Sequence, residues 1–93
     1  MKFYYIQHDV DYGSYVYFAF DSFEEAKEYL YNELLNGYDK DRYFVDEERN
    51  EYDDENMLLR IKIKDRPDDK WHSDEEYEIH KSNGEIIQGG YSE

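Results

Sequence analysis

The chain contains no cysteine, which excludes a disulfide framework and any thiolate metal site. Proline occurs once, as Pro67, and glycine five times, and no Pro/Gly-rich linker or internal repeat divides the chain, so residues 1–93 read as one domain. Positive charge is equally scarce: 11 Lys and Arg face 25 Asp and Glu, for a formal net charge of −14. Nucleic-acid affinity comes chiefly from Lys and Arg meeting phosphate, and an acidic surplus is repelled by anionic membrane. Direct nucleic-acid binding and membrane binding are therefore not expected. The N-terminus, MKFYYIQHDVD, lacks both the apolar core of a signal peptide and a run long enough to cross a bilayer. The expectation is a cytoplasmic protein whose mature chain begins at Met1.

Motifs of known chemistry are missing as well. There is no GxGxxG, no Walker A sequence and no Ser-centred elbow, and each of those chemistries depends on its fixed spacing. His8, His72 and His80 share no ligand spacing such as HxxxH and read as ordinary surface residues. Asp9 and Asp11 begin like a calcium loop, but Gly13, Ser14 and Phe20 stand at its fifth, sixth and twelfth positions, and the EF-hand pattern fails. With 25 acids, a pair spaced for acid–base work will arise by chance, and nothing singles one out. No cofactor, no metal site and no catalytic residue are expected. A metal-dependent enzyme using Asp53, Asp54 and Glu55 is kept as a contrasting hypothesis.

What is present is aromatic and acidic. Twelve Tyr, five Phe and one Trp make a core of rings supplemented by Leu, Ile and Val, and tyrosines whose hydroxyls need partners are expected to sit half exposed. The charge is uneven: residues 57–67 carry four bases and one acid, whereas the three segments around them are acidic. Self-repulsion of this size opposes compact folding, and a basic partner would relieve it.

Residues 2–8 and 14–20 are rich in aromatic and β-branched types around DVDYG, which predicts a β-hairpin with positive φ at Gly13. Alternation places Tyr4, Ile6, Val16, Phe18 and Phe20 inward, and Phe3, Tyr5, Tyr15 and Tyr17 outward. Either that second face is covered, or its rings form a recognition patch. SFEEAKEYLYNELLNG predicts a helix: Ser22 is the N-cap, Glu25 completes a capping box, and Gly37 follows as a stop. Phe23, Ala26, Leu30 and Leu34 form its apolar stripe, widened by Tyr31 and Leu35, while Glu24, Glu25, Glu28 and Asn32 lie opposite.

Tyr43 to Val45 reads either as a brief strand or as a loop anchor. Asp46 to Asn56 follows, with seven carboxylates among eleven residues and only Arg49 opposing them. Blocks of like charge often serve as interaction segments, and the run gains weight if the fold brings it beside the acidic face of the helix. MLLRIKIK alternates strictly, with Met57, Leu59, Ile61 and Ile63 on one side and Arg60, Lys62 and Lys64 on the other. A second hairpin is expected beyond Pro67, with Tyr77 and Ile79 inward, a type I′ turn at Asn83 and Gly84, and residues 85–88 returning. If these strands are neighbours, Arg60 and Lys62 meet Glu78 and Glu76 across the sheet. The fold expected is α+β, in the order ββαβββ: a small antiparallel sheet of about five strands with one helix packed on one face.

In size, charge and segments such as DEERNEYDDEN and SFEEAKEYLYNE, the chain resembles the small acidic, Tyr-rich inhibitors encoded by phages and mobile elements. These include DNA-mimic anti-CRISPR and anti-restriction proteins, and it looks also like the acidic immunity proteins that block nuclease toxins. The resemblance implies a non-catalytic inhibitor that occludes the basic groove of a nucleic-acid-binding protein such as a nuclease. The residues expected to meet the partner are Glu24, Glu25, Glu28, Asp46, Glu47, Glu48, Glu51, Asp53, Asp54 and Glu55, with Tyr5, Tyr15 and Tyr17 adding stacking or cation–π contacts. A structural or dimerising domain is the alternative, and the chain is expected to be a monomer or a homodimer.

Overall fold

The structure is a computed structural model that describes residues 3–46, 55–66, 68 and 73–82. Five strands form one antiparallel sheet: β1 (Phe3–Val10), β2 (Gly13–Phe20), β3 (Tyr43–Val45), β4 (Met57–Lys64) and β5 (Ser73–Ser82). Their spatial order is β2-β1-β5-β4-β3, and the helix α1 (Phe23–Tyr29) packs on one face against β1, β2 and β5. The class is α+β as the sequence predicts, and among the described residues the sheet has five antiparallel strands with one α-helix on one face. Tyr43 to Val45 is indeed a strand, and it supplies the fifth member of the sheet. The expected turn at Asn83 and Gly84, and the strand at 85–88, lie outside the described residues. Among the described residues, no helix is long and apolar enough to cross a membrane.

The core lies between α1 and the helix-side face of the sheet. Ile6, Ala26, Leu30, Leu35, Ile61, Ile63, Tyr77 and Ile79 are buried there, and Tyr4, Tyr17, Phe20 and Tyr43 pack around them. Alternation along β4 and β5 is as expected for Ile61, Ile63, Tyr77 and Ile79. The register pairs Arg60 with Glu78 and Lys62 with Glu76, the two cross-strand charge pairs read from the sequence.

Two irregularities overturn side-chain assignments elsewhere. Tyr4 pairs with Phe20 but Ile6 with Tyr17, so β2 holds one extra residue between these pairs, and a one-residue insertion turns side chains to the other face. Tyr17 consequently faces the helix, Phe18 is 49% exposed, and Val16 is buried on the far face opposite Gln7. Met57 pairs with His80 but Leu59 with Ile79. The same kind of shift takes Met57 out of the helix-side stripe and puts it on the far face, still buried. The hairpin strands also run on to Val10 and from Gly13, leaving Asp11 and Tyr12 as the turn, and Gly13 does not adopt the expected positive φ.

The helix continues past Tyr29 as a π-helical turn, Leu30–Leu34, closed by Leu35 N–H donating to Leu30 C=O at 2.8 Å. The wider turn delays the stripe by one residue, so Leu35 is buried and Leu34 only partly so. Removing a well-buried leucine costs about 2–5 kcal/mol. Urea unfolding should therefore show Leu35→Ala costing more than twice as much as Leu34→Ala; the reverse order would indicate a regular α-helix.

Candidate functional site

The outer face of α1 is set by its first turn. Ser22 has extended backbone and its Oγ accepts from Glu25 N–H at 3.1 Å, while Glu25 Oε2 accepts from Asp21 N–H at 3.0 Å. The capping box thus forms, with the carboxylate reaching one residue further back than the N-cap, and one oxygen of Glu25 is tied to the backbone. Glu25, Glu28, Tyr29, Asn32 and Glu33 then recur at i, i+3, i+4, i+7 and i+8, the spacing of one helix face. Together with Phe20 from the end of β2, they line an open groove.

The floor of this groove is aromatic and its rim is acidic. Tyr29 packs on Phe20 with ring centroids 5.4 Å apart, and on Tyr17 at 6.1 Å. Glu24, Glu25, Glu28 and Glu33 are exposed. Lys27, the cation on this helix, lies over the Phe23 ring at 6.0 Å. Among the described residues, no Lys or Arg comes within ion-pair distance of Glu28 or Glu33.

The far face of the sheet is also acidic, but its charge is answered. Carboxylate oxygens of Asp9, Glu76 and Glu78 lie within 4.8 Å of one another. Gln7 Nε2 donates to Asp9 Oδ1 at 2.8 Å, and His80 Nε2 lies 3.0 Å from Glu78 Oε1. Arg60 Nη2 and Lys62 Nζ bind Asp46 Oδ2 at 3.0 and 3.2 Å. Burial raises the Asp9 carboxyl above its ordinary value, with the Glu78 charge adding to the effect and the Gln7 hydrogen bond opposing it. Burial likewise raises Glu76, against the pull of Lys62. Carboxyls this close favour retaining a proton, since like charges resist joint ionisation.

A third cluster closes one end of the helix-side face. His8 stacks on Tyr77 at 4.0 Å, its Nε2 lies 2.8 Å from Glu75 Oε1, and Tyr38 O–H donates to the same carboxylate at 3.2 Å. Burial, foremost, pushes the Tyr77 and Tyr38 hydroxyls up. His8 and His80 are therefore not ordinary surface residues, as the sequence reading had them. Each is covered and set against a carboxylate brought from far along the chain or from two residues away.

The residues expected to meet a partner do not share one surface. Glu24, Glu25 and Glu28 stand together on α1. Asp46 sits on the far face, held by Arg60 and Lys62, so the described start of the acidic run points away from the helix. Tyr5 is on that far face, stacked on His80 at 5.1 Å, whereas Tyr15 and Tyr17 are opposite His8 and Ile6 on the helix side. Glu55 is exposed ahead of β4. Glu47, Glu48, Glu51, Asp53, Asp54 and His72 lie outside the described residues. Phe20, Tyr29 and Glu33 were missed as site residues; the i+4 and i+8 spacing of Tyr29 and Glu33 from Glu25 is a signal that could have found two of them. No protein-family model, curated protein or solved structure matches this chain.

A group whose folded-state pKa is raised adds stability below its unfolded value and loses that contribution as pH rises through the folded value. For Asp9 and Glu76 the loss begins above their reference values of 3.8 and 4.5. Asp9→Asn and Glu76→Gln should each raise Tm at pH 7 by on the order of a few degrees and flatten its decline between pH 4 and 7. Melting curves with the wild-type slope in both variants would contradict this.

Proposed function

We propose that this chain is a non-catalytic binding module that engages a basic, nucleic-acid-handling protein, foremost a nuclease, and competes with its nucleic acid in the cytoplasm. The observation that carries the reading is that Glu24, Glu25, Glu28 and Glu33 are exposed on α1 and the turn that continues it with no ion-pair partner among the described residues, while Lys27 lies over Phe23. Helix positions one turn apart are about 5–6 Å apart at Cβ, comparable to two phosphate steps of about 3.4 Å rise on a DNA strand. Asp46 faces the other way, so the reading rests on the helix and not on one continuous acidic surface. The anti-CRISPR, anti-restriction and immunity classes named above share this chemistry of occlusion.

The test is to immobilise the chain, elute captured nucleic-acid-binding proteins in salt steps, and ask whether the free chain displaces labelled duplex from each. Displacement that weakens steeply with salt, and by about ten-fold or more when Glu24, Glu25, Glu28 and Glu33 are all changed to Gln, is expected, since each close charge contact contributes up to about 1 kcal/mol. Salt-independent binding, or duplex and chain bound together, would contradict competition.

A second reading, a homodimer, is favoured by β2. It lies at an edge of the described sheet and its eight residues, GSYVYFAF, hold no charge and no proline, two of the devices that blunt natural edges, which leaves the irregularity near Phe18 as its one guard. Sedimentation equilibrium at micromolar concentration decides: a dimer that Phe18→Lys, at an exposed position of β2, dissociates supports it, and a strict monomer ends it.

A further inference from the structure

We infer that the groove between the outer face of α1 and the end of β2 receives an arginine side chain of the partner. The inference rests on the acidic-surface reading above and names the chemistry that surface selects. Its floor is Phe20 and Tyr29, packed on each other at 5.4 Å, with Tyr29 36% exposed and Tyr17 supporting it from beneath at 6.1 Å. Aromatic faces attract cations through their quadrupole. Its rim is Glu25, Glu28 and Glu33, with the Asn32 amide between.

These two features ask different things of a ligand. A ring face wants a flat, weakly hydrated cation that lies against it, and carboxylates on either side want donors in the plane of that cation. Guanidinium supplies both, because it is planar, stacks on aromatic faces and carries five N–H donors in a fork that matches carboxylates. A lysine ammonium is a compact, strongly hydrated point charge and meets the rim without using the floor. The groove is also prepared for a charge from outside. Glu25 is held in place through Asp21 N–H, and Glu28 and Glu33 have no Lys or Arg within ion-pair reach among the described residues. On the far face, in contrast, Arg60 and Lys62 already serve the carboxylates. The partner's contact segment is therefore one that presents arginine.

Hexa-arginine and hexa-lysine peptides, titrated at low salt and followed by NMR, separate the possibilities. Hexa-arginine should bind about three- to ten-fold more tightly and move the ring resonances of Phe20 and Tyr29. Tyr29→Leu should abolish that preference while leaving hexa-lysine affinity within about two-fold, as expected if only the ring contact is lost. Glu28→Gln with Glu33→Gln should weaken both peptides, and Asp41→Asn, at an exposed acid outside the groove, should leave their ratio unchanged. Equal affinities with unmoved ring resonances, or a preference that survives Tyr29→Leu, would overturn the arginine groove while leaving acidic-surface binding intact. Failure of both peptides to bind at low salt would overturn the two readings together.

Discussion

The fold depends on where its few cations sit. With a net charge of −14, a sheet that set the acids of β5 beside Asp9 of β1 and Asp46 beyond β3 without relief would be opposed by like charges on its far face. β4 prevents this by standing between β5 and β3 with Arg60 and Lys62 projecting among Glu78, Glu76 and Asp46. Asp46 is anchored twice, since its N–H also donates to Arg60 C=O at 2.9 Å. A charge pair that loses one partner when covered leaves the other costly, so the basic strand and Asp46, at the start of the acidic run, are fixed as one unit.

That unit places Arg60 and Lys62 on the far face of the sheet. The helix side is held by apolar burial around Ile6, Leu30, Ile61 and Ile79, and the acids on its outer surface have no ion-pair partner among the described residues. The division separates two kinds of carboxylate. Those on the far face are partly covered, and that burial raises Asp9 and Glu76. Those on α1 are solvated and open to an external cation. Acid content alone does not distinguish them; their position relative to β4 does.

Much of this arrangement was legible in the residues. The alternation in MLLRIKIK placed Ile61, Ile63, Arg60 and Lys62 on their correct faces, and the charge complementarity with Glu76 and Glu78 anticipated the register. Ser22 and Glu25 announced the helix. What could not be read arises from local departures from a constant period. An extra residue in β2 sends Tyr17 inward and Phe18 outward, a shift in β4 moves Met57, and a π-helical turn exchanges Leu34 for Leu35. Periodicity carries no mark of such insertions, because each neighbouring segment remains regular. Long-range meetings were equally hidden: His8 with Glu75 and Asp46 with Arg60 exist only once the strand order is known. For the site, the helix acids were visible in sequence, whereas the Phe20 floor required β2 to end beneath Tyr29.

The central claim is that the carboxylates of α1, and not those around β4, meet a basic partner. The most direct measurement is an amide-resolved NMR map of the chain while a basic nuclease domain is added at low salt. Perturbation should centre on residues 21–33 and fade as salt is raised, as screening of exposed charges requires. Perturbation centred on residues 57–64 and 73–82, with 21–33 unchanged, would contradict the account.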